Sequence, residues 1–246
     1  MQLVVNGVLT NYLEINNDKR DVLVILHGWR NSSANWQEVV RNLPDTHRVI
    51  ALDMPAFGST FPLPGEPSVA EYADFVHKFI LKLKLKKITL LGHSFGGQVA
   101  VDLALRFGSD LEKLILVSPA CIRSTKPKLK SKVASVAKPI VKKLPKSLQD
   151  YFLRFMASSD YLKSTTEQRQ VLNRILKVDY SHLVSKISQK TFIIWGTEDT
   201  TIPNSSKFLA ENIKDSVLIP LYGIDHNPNA TAPAKLAKII SKCLAS

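Results

Sequence analysis

Cysteine is scarce: Cys121 and Cys243 are the only two in 246 residues, and their separation matches neither a metal site nor a redox pair. A disulfide-built scaffold is thereby excluded, and two unpaired thiols in a reducing compartment are expected. Long hydrophobic runs are missing as well. No stretch of 18 or more apolar residues occurs, so no membrane span is expected. The first residues, MQLVVNGVLT, lack the basic start and apolar core of a secretion signal, which makes a cytoplasmic location the expectation. Internal repeats and low-complexity tracts are also absent, which argues against a solenoid or a disordered chain.

Negative charge is in short supply, with 21 Asp or Glu against 33 Lys or Arg and a net charge of +12. The imbalance is local. Residues 121–190 hold 16 basic and 4 acidic side chains, whereas the rest of the chain holds 17 of each. Such asymmetry suggests an insert facing a different surface from the body. The basic residues carry no nucleic-acid motif, so no nucleic-acid partner is expected.

What the chain does have is alternation. Apolar runs at 22–26, 48–52, 87–92, 113–118, 191–195 and 216–221 read as buried strands. Helical patterns fall between most of them, at 33–43, 68–84, 95–107, 204–214 and 231–244. In the third of these, Phe95, Val99, Leu103 and Phe107 recur every four residues. A βα alternation of this kind predicts an α/β fold: a mostly parallel central sheet with helices on both faces. Asn6-Gly7 between short β-type runs predicts an antiparallel hairpin at one edge. The alternation stops between 119 and 187. There the stretch 126–146 spaces Leu129, Val133, Val136, Ile140 and Leu144 helically among lysines, with Pro139 as a kink, and further helices are expected near 147–157 and 165–177. The expected organisation is a core of 1–118 and 188–246 with a helical cap inserted at 119–187.

The chemistry is concentrated at Gly92-His93-Ser94-Phe95-Gly96, where a buried strand runs into an amphipathic helix. This is the setting of a nucleophile elbow. The turn is sharp enough to strain the serine and project its hydroxyl, and side chains two residues to either side would collide. A serine hydroxyl needs a general base to attack at neutral pH. His226, in the loop after 216–221, is the candidate base, and Asp199, just past 191–195, is the candidate acid that orients it. Both lie at carboxyl ends of strands, where open α/β sheets place their sites. His93 is a packing or oxyanion-loop residue on this reading, and Glu198 and Asp225 are the rival acids. The oxyanion donors expected are the backbone N–H of Phe95 and that of Trp29, in the loop after 22–26. Arg30 is a candidate for the site mouth.

With these residues in place, the chain resembles the α/β-hydrolase superfamily. The resemblance is carried by His27-Gly28-Trp29, Asp53-Met54-Pro55-Ala56-Phe57-Gly58-Ser59, Gly92 to Gly97, Trp195 to Asp199 and Gly223 to His226, in the family's order. Two departures are Ala56, where the family usually has glycine, and Asp225, where it often has a small residue. The resemblance implies a capped serine hydrolase acting through an acyl-serine, without metal or organic cofactor. A serine at position 94 argues against the family's aspartate-dependent dehalogenases and epoxide hydrolases. The expected activity is cleavage of carboxylic esters with small to medium acyl chains. Monoacylglycerol lipase, lysophospholipase or lactonase activity is the nearest alternative, and a C–C hydrolase or lyase a more distant one. The expected partner is a small ester, and the basic 126–146 stretch could meet an anionic lipid surface.

Overall fold

A computed structural model describes residues 1–123 and 165–246. It contains one eight-stranded sheet in the order β1-β2-β4-β3-β5-β6-β7-β8. Strands β1 (Gln2–Val5) and β2 (Val8–Ile15) form the N-terminal hairpin. Asn6 and Gly7 turn it with φ of 49° and 83°, the left-handed pair that matches the twist of a hairpin. Strand β2 runs antiparallel to β4 (Arg48–Leu52). From there β3 (Val22–Leu26), β5 (Ile88–His93), β6 (Leu111–Val117), β7 (Lys190–Gly196) and β8 (Ser216–Leu221) continue in parallel.

Strand β3 is apolar at every position and the other central strands are largely so, because both sheet faces are covered. Successive side chains point to opposite faces. Val22, Val24 and Leu26 join one core layer, packed under α2 (Val69–Lys82) and α3 (Phe95–Phe107). Leu23 and Ile25 join the other layer, with Trp36, α1 (Gln37–Arg41) and the C-terminal helix. Helix α2 starts at a reciprocal cap: Ser68 accepts from the Glu71 N–H while the Glu71 carboxylate accepts from the Ser68 N–H. Helix α4 (Thr166–Ile175) starts at the equivalent pair Thr165 and Gln168. It lies where the last cap helix was expected. The helices expected at 126–146 and 147–157 lie outside the described residues.

Two expectations, the helix at 33–43 and the burial of β8, differ from what is found. The 33–43 segment is a 3₁₀ turn, Ser33–Trp36, followed by the short α1. The final helix is found close to the expected 231–244, as α7 (Pro233–Ala245), with an additional single turn α6 (Pro228–Thr231) before it and α5 (Ser206–Asn212) preceding β8. A proline opens both of the last two helices, where its missing N–H costs no hydrogen bond, and Pro233 ends the preceding turn. Strand β8, expected to be buried, lies at the sheet edge. Val217 is 44% and Leu218 37% exposed, and only Leu221 is buried. A strand with one neighbour carries Pro220 without losing a ladder bond on its open side.

Candidate active site

The carboxyl ends of β3, β4, β5, β7 and β8 deliver five loops to one rim of the sheet. At the end of β5 the backbone turns at Ser94, with φ 51° and ψ −112°, a conformation in which L-residues are strained. A Cβ on Gly96 would stand 2.3 Å from the Leu26 carbonyl oxygen, and one on Gly92 would stand 2.4 Å from that of Gly96. The two glycines are therefore required by the close approach of backbone to backbone. Val117 O accepts from the Ser94 N–H at 3.0 Å, and Ser94 O accepts from Gln98 and Ala120. The strained residue is thus held from three sides.

His226 Nε2 lies 2.9 Å from Ser94 Oγ, and His226 Nδ1 lies 2.7 Å from Asp199 Oδ2. A carboxylate only accepts, so Nδ1 carries the proton and Nε2 presents its lone pair to the serine hydroxyl. That tautomer is the one a general base needs. The Asp199 side chain is fully buried. Burial raises its carboxyl pKa, but the bond and charge of His226 and the N–H groups of Thr201 and Ile202 outweigh this and hold it below the usual range. Of the rival acids, Glu198 is exposed. The Asp225 carboxylate accepts from the Asn227 N–H and the Thr231 hydroxyl, both at 3.0 Å, and so faces the start of α6.

Two buried histidines brace these loops. The His93 Nε2–H donates to the His226 carbonyl at 2.8 Å, which makes His93 a brace on the histidine loop as well as a packing residue against Trp36. Burial, and then the neighbouring His226, push the His93 imidazole down to about 3. His27 Nε2 accepts from the Met54 N–H at 3.0 Å, so its Nδ1–H donates to Gly28 O at 2.7 Å. Burial pushes it down to about 4. Asp53, at the end of β4, accepts from the Ser33 N–H, the Ser59 N–H and Asn11. Burial raises its carboxyl, and the Ser59 and Ser33 donors with Asn11 outweigh it, leaving it below the usual range. None of these bracing bonds was foreseen, although each residue stands within a motif read from the sequence.

Around Ser94 lies a cavity of about 680 Å³. Its lining includes the apolar Trp29, Phe95, Leu172 and Ile175 and, with His226, the polar Asn227, Thr231 and Thr201. Arg30 also lines it. The Phe95 N–H, at the open N-terminus of α3, and the Trp29 N–H donate to no backbone acceptor among the described residues. The α3 terminus adds positive partial charge beside Ser94. Gln98, buried one turn into α3, donates to Ile175 O at 3.0 Å, and the Arg123 guanidinium donates to the same carbonyl. The C-terminus of α4 is thereby fastened over the nucleophile helix.

A strand–serine–helix turn, an imidazole bonded to that serine and a buried carboxylate behind the imidazole form an arrangement able to activate a serine hydroxyl at the rim of an α/β sheet. The chain belongs to the alpha/beta hydrolase fold family, whose model matches residues 21–174. Among curated relatives, the monoacylglycerol lipase ABHD6 of Homo sapiens is 28% identical, the match covering 91% of this chain and 75% of the relative. A 2-hydroxy-6-oxononadienedioate/2-hydroxy-6-oxononatrienedioate hydrolase of Pseudomonas sp is 22% identical, covering 81% of this chain and 80% of the relative. A solved membrane phospholipase A superposes with a TM-score of 0.81 at 20% identity, covering all of this chain and 84% of the other. At that identity the superposition speaks for the fold alone.

Proposed function

We propose that this hydrolase cleaves carboxylic esters through an acyl-enzyme, with Ser94 as nucleophile, His226 as base and Asp199 as the group that orients it. The observation that carries the reading is the unbroken hydrogen-bond chain from Ser94 Oγ through His226 to buried Asp199. His226 takes the hydroxyl proton as Oγ attacks the ester carbonyl. The developing oxyanion is held by the Phe95 and Trp29 N–H groups, donors that need no reorganisation. His226 then protonates the departing alcohol oxygen, and the C–O bond breaks to leave an acyl-serine. A water that loses its proton to His226 attacks this ester, and Ser94 recovers its hydrogen as the acid departs. Residues 119–187 serve as the cap, and the basic stretch within it is the candidate contact with an anionic lipid surface.

A lipid ester is the second reading, favoured by the apolar residues lining the cavity and by the relative named as a monoacylglycerol lipase. A panel of p-nitrophenyl esters, a monoacylglycerol, a lysophospholipid, a lactone and the C–C substrate of the Pseudomonas relative separates these chemistries. Ser94→Ala is expected to keep the melting temperature and lose at least about 10⁴-fold in kcat on whichever ester turns over. Retention of most of the activity by that variant contradicts the proposal.

A further inference from the structure

A second cavity has a volume of about 710 Å³. Leu9 of β2, Phe57, Phe61 and Leu63 of the loop after β4, Tyr72 of α2 and Val171 of α4 supply its apolar wall. No Asp, Glu, Lys or Arg lines it among the described residues. Trp29 is the one described residue that lines both this cavity and the one around Ser94. Its indole packs edge-to-face on Phe57 at 4.9 Å and on Phe95 at 5.4 Å. The indole N–H is buried and has no acceptor among the described residues. Among the described residues the ring is thus kept in place by aromatic contacts, with no hydrogen bond from its N–H to break if it swings.

The direction of the chemistry decides what each cavity receives. The leaving oxygen must come within reach of His226 Nε2, because that nitrogen returns the proton. The carbonyl oxygen must face the N–H groups of Phe95 and Trp29. The alcohol then lies beside His226 and the acyl chain leaves Ser94 away from it, and the second cavity meets this one at Trp29. We infer that the second cavity is the acyl-chain site, reached past the Trp29 indole, and that the substrate joins a long, uncharged acyl chain to a hydrogen-bonding alcohol. The inference rests on the serine-esterase reading above. It proposes a longer acyl chain than the small-to-medium length expected from the sequence. Among the described residues a lining that is uncharged and largely apolar, around a cavity of this size, suits an apolar chain.

The test holds the alcohol constant and varies the chain. With 1-butanoylglycerol and 1-dodecanoylglycerol, both kept monomeric, the intact enzyme is expected to favour the longer ester in kcat/KM. Val171→Phe on α4 and Leu63→Trp on the loop fill the cavity from different elements, and thermal melts report whether each folds. Either folded variant is expected to lower the dodecanoyl-to-butanoyl ratio of kcat/KM by tenfold or more. A ratio within twofold of the parent enzyme's, or a parent that prefers the butanoyl ester, overturns the acyl-chain assignment while leaving the esterase reading intact. No turnover of either ester by the parent counts against the esterase reading itself and removes the inference with it.

Discussion

Ala56 stands at φ 71°, in the region that L-residues enter at a cost of about 1–2 kcal/mol. Two residues on, Gly58 has φ 56°, and a Cβ there would lie 2.1 Å from Asp53 Oδ2. Glycine at 58 is therefore obligatory, while alanine at 56 is strained but fits. The Ala56→Gly variant relieves that strain but gains freedom in the unfolded chain, so its net gain is expected to be a few tenths to about 1 kcal/mol. Equilibrium urea unfolding measures it, and a loss of stability contradicts the reading. Within the proposed triad, Asp199→Asn replaces an acceptor-only carboxylate with an amide that can donate to Nδ1, inviting the wrong imidazole tautomer. A fall of about 10³–10⁴-fold in kcat with little change in KM is expected on the ester identified by the panel. An effect confined to KM would show that Asp199 acts on binding instead.

At the scale of elements, the loops after β3, β4 and β8 are held by neutral histidines, and this makes stability depend on pH. The unfolded chain binds a proton on each histidine near its ordinary value of 6.5, whereas the folded chain keeps His27 neutral down to about 4 and His93 down to about 3. Between these limits the unfolded state carries more protons, so stability falls as pH falls. Each histidine contributes about 1.4 kcal/mol per pH unit to that slope. Unfolding free energies measured from pH 6.5 to 4.5 are expected to show it, and His93→Gln, which retains a donor for the His226 carbonyl, should remove one histidine's share. An unchanged slope in that variant contradicts the assignment. These bonds were illegible in the sequence because they join residues far apart, His93 to His226 among them. The β5–Ser94–α3 turn was legible because a buried run, a glycine-flanked serine and a four-residue apolar period are all local signals. The exposure of β8 was not: an apolar run reads alike with one neighbour or two, and only the sheet order places β8 at the edge.

The whole molecule separates what positions the site from what the charge surplus does. The sheet that brings Ser94, Asp199 and His226 to one rim is built from the electrically balanced part of the sequence, while most of the basic excess falls in 121–190. Among the described residues no helix is long and apolar enough to cross a membrane. Binding of the enzyme to vesicles containing phosphatidylserine, with little to neutral vesicles and release by salt, is the expected signature of a basic cap on a lipid surface. Equal binding to both vesicle types would remove electrostatics from that contact. The proposed activation of Ser94 does not depend on substrate identity and can be read directly. Incubation with a fluorophosphonate followed by peptide mass spectrometry is expected to give one stoichiometric adduct on Ser94, absent in Ser94→Ala and at least about 10³-fold slower in His226→Ala. No adduct, labelling at another residue, or an undiminished rate without His226 would contradict the proposed nucleophile and its base.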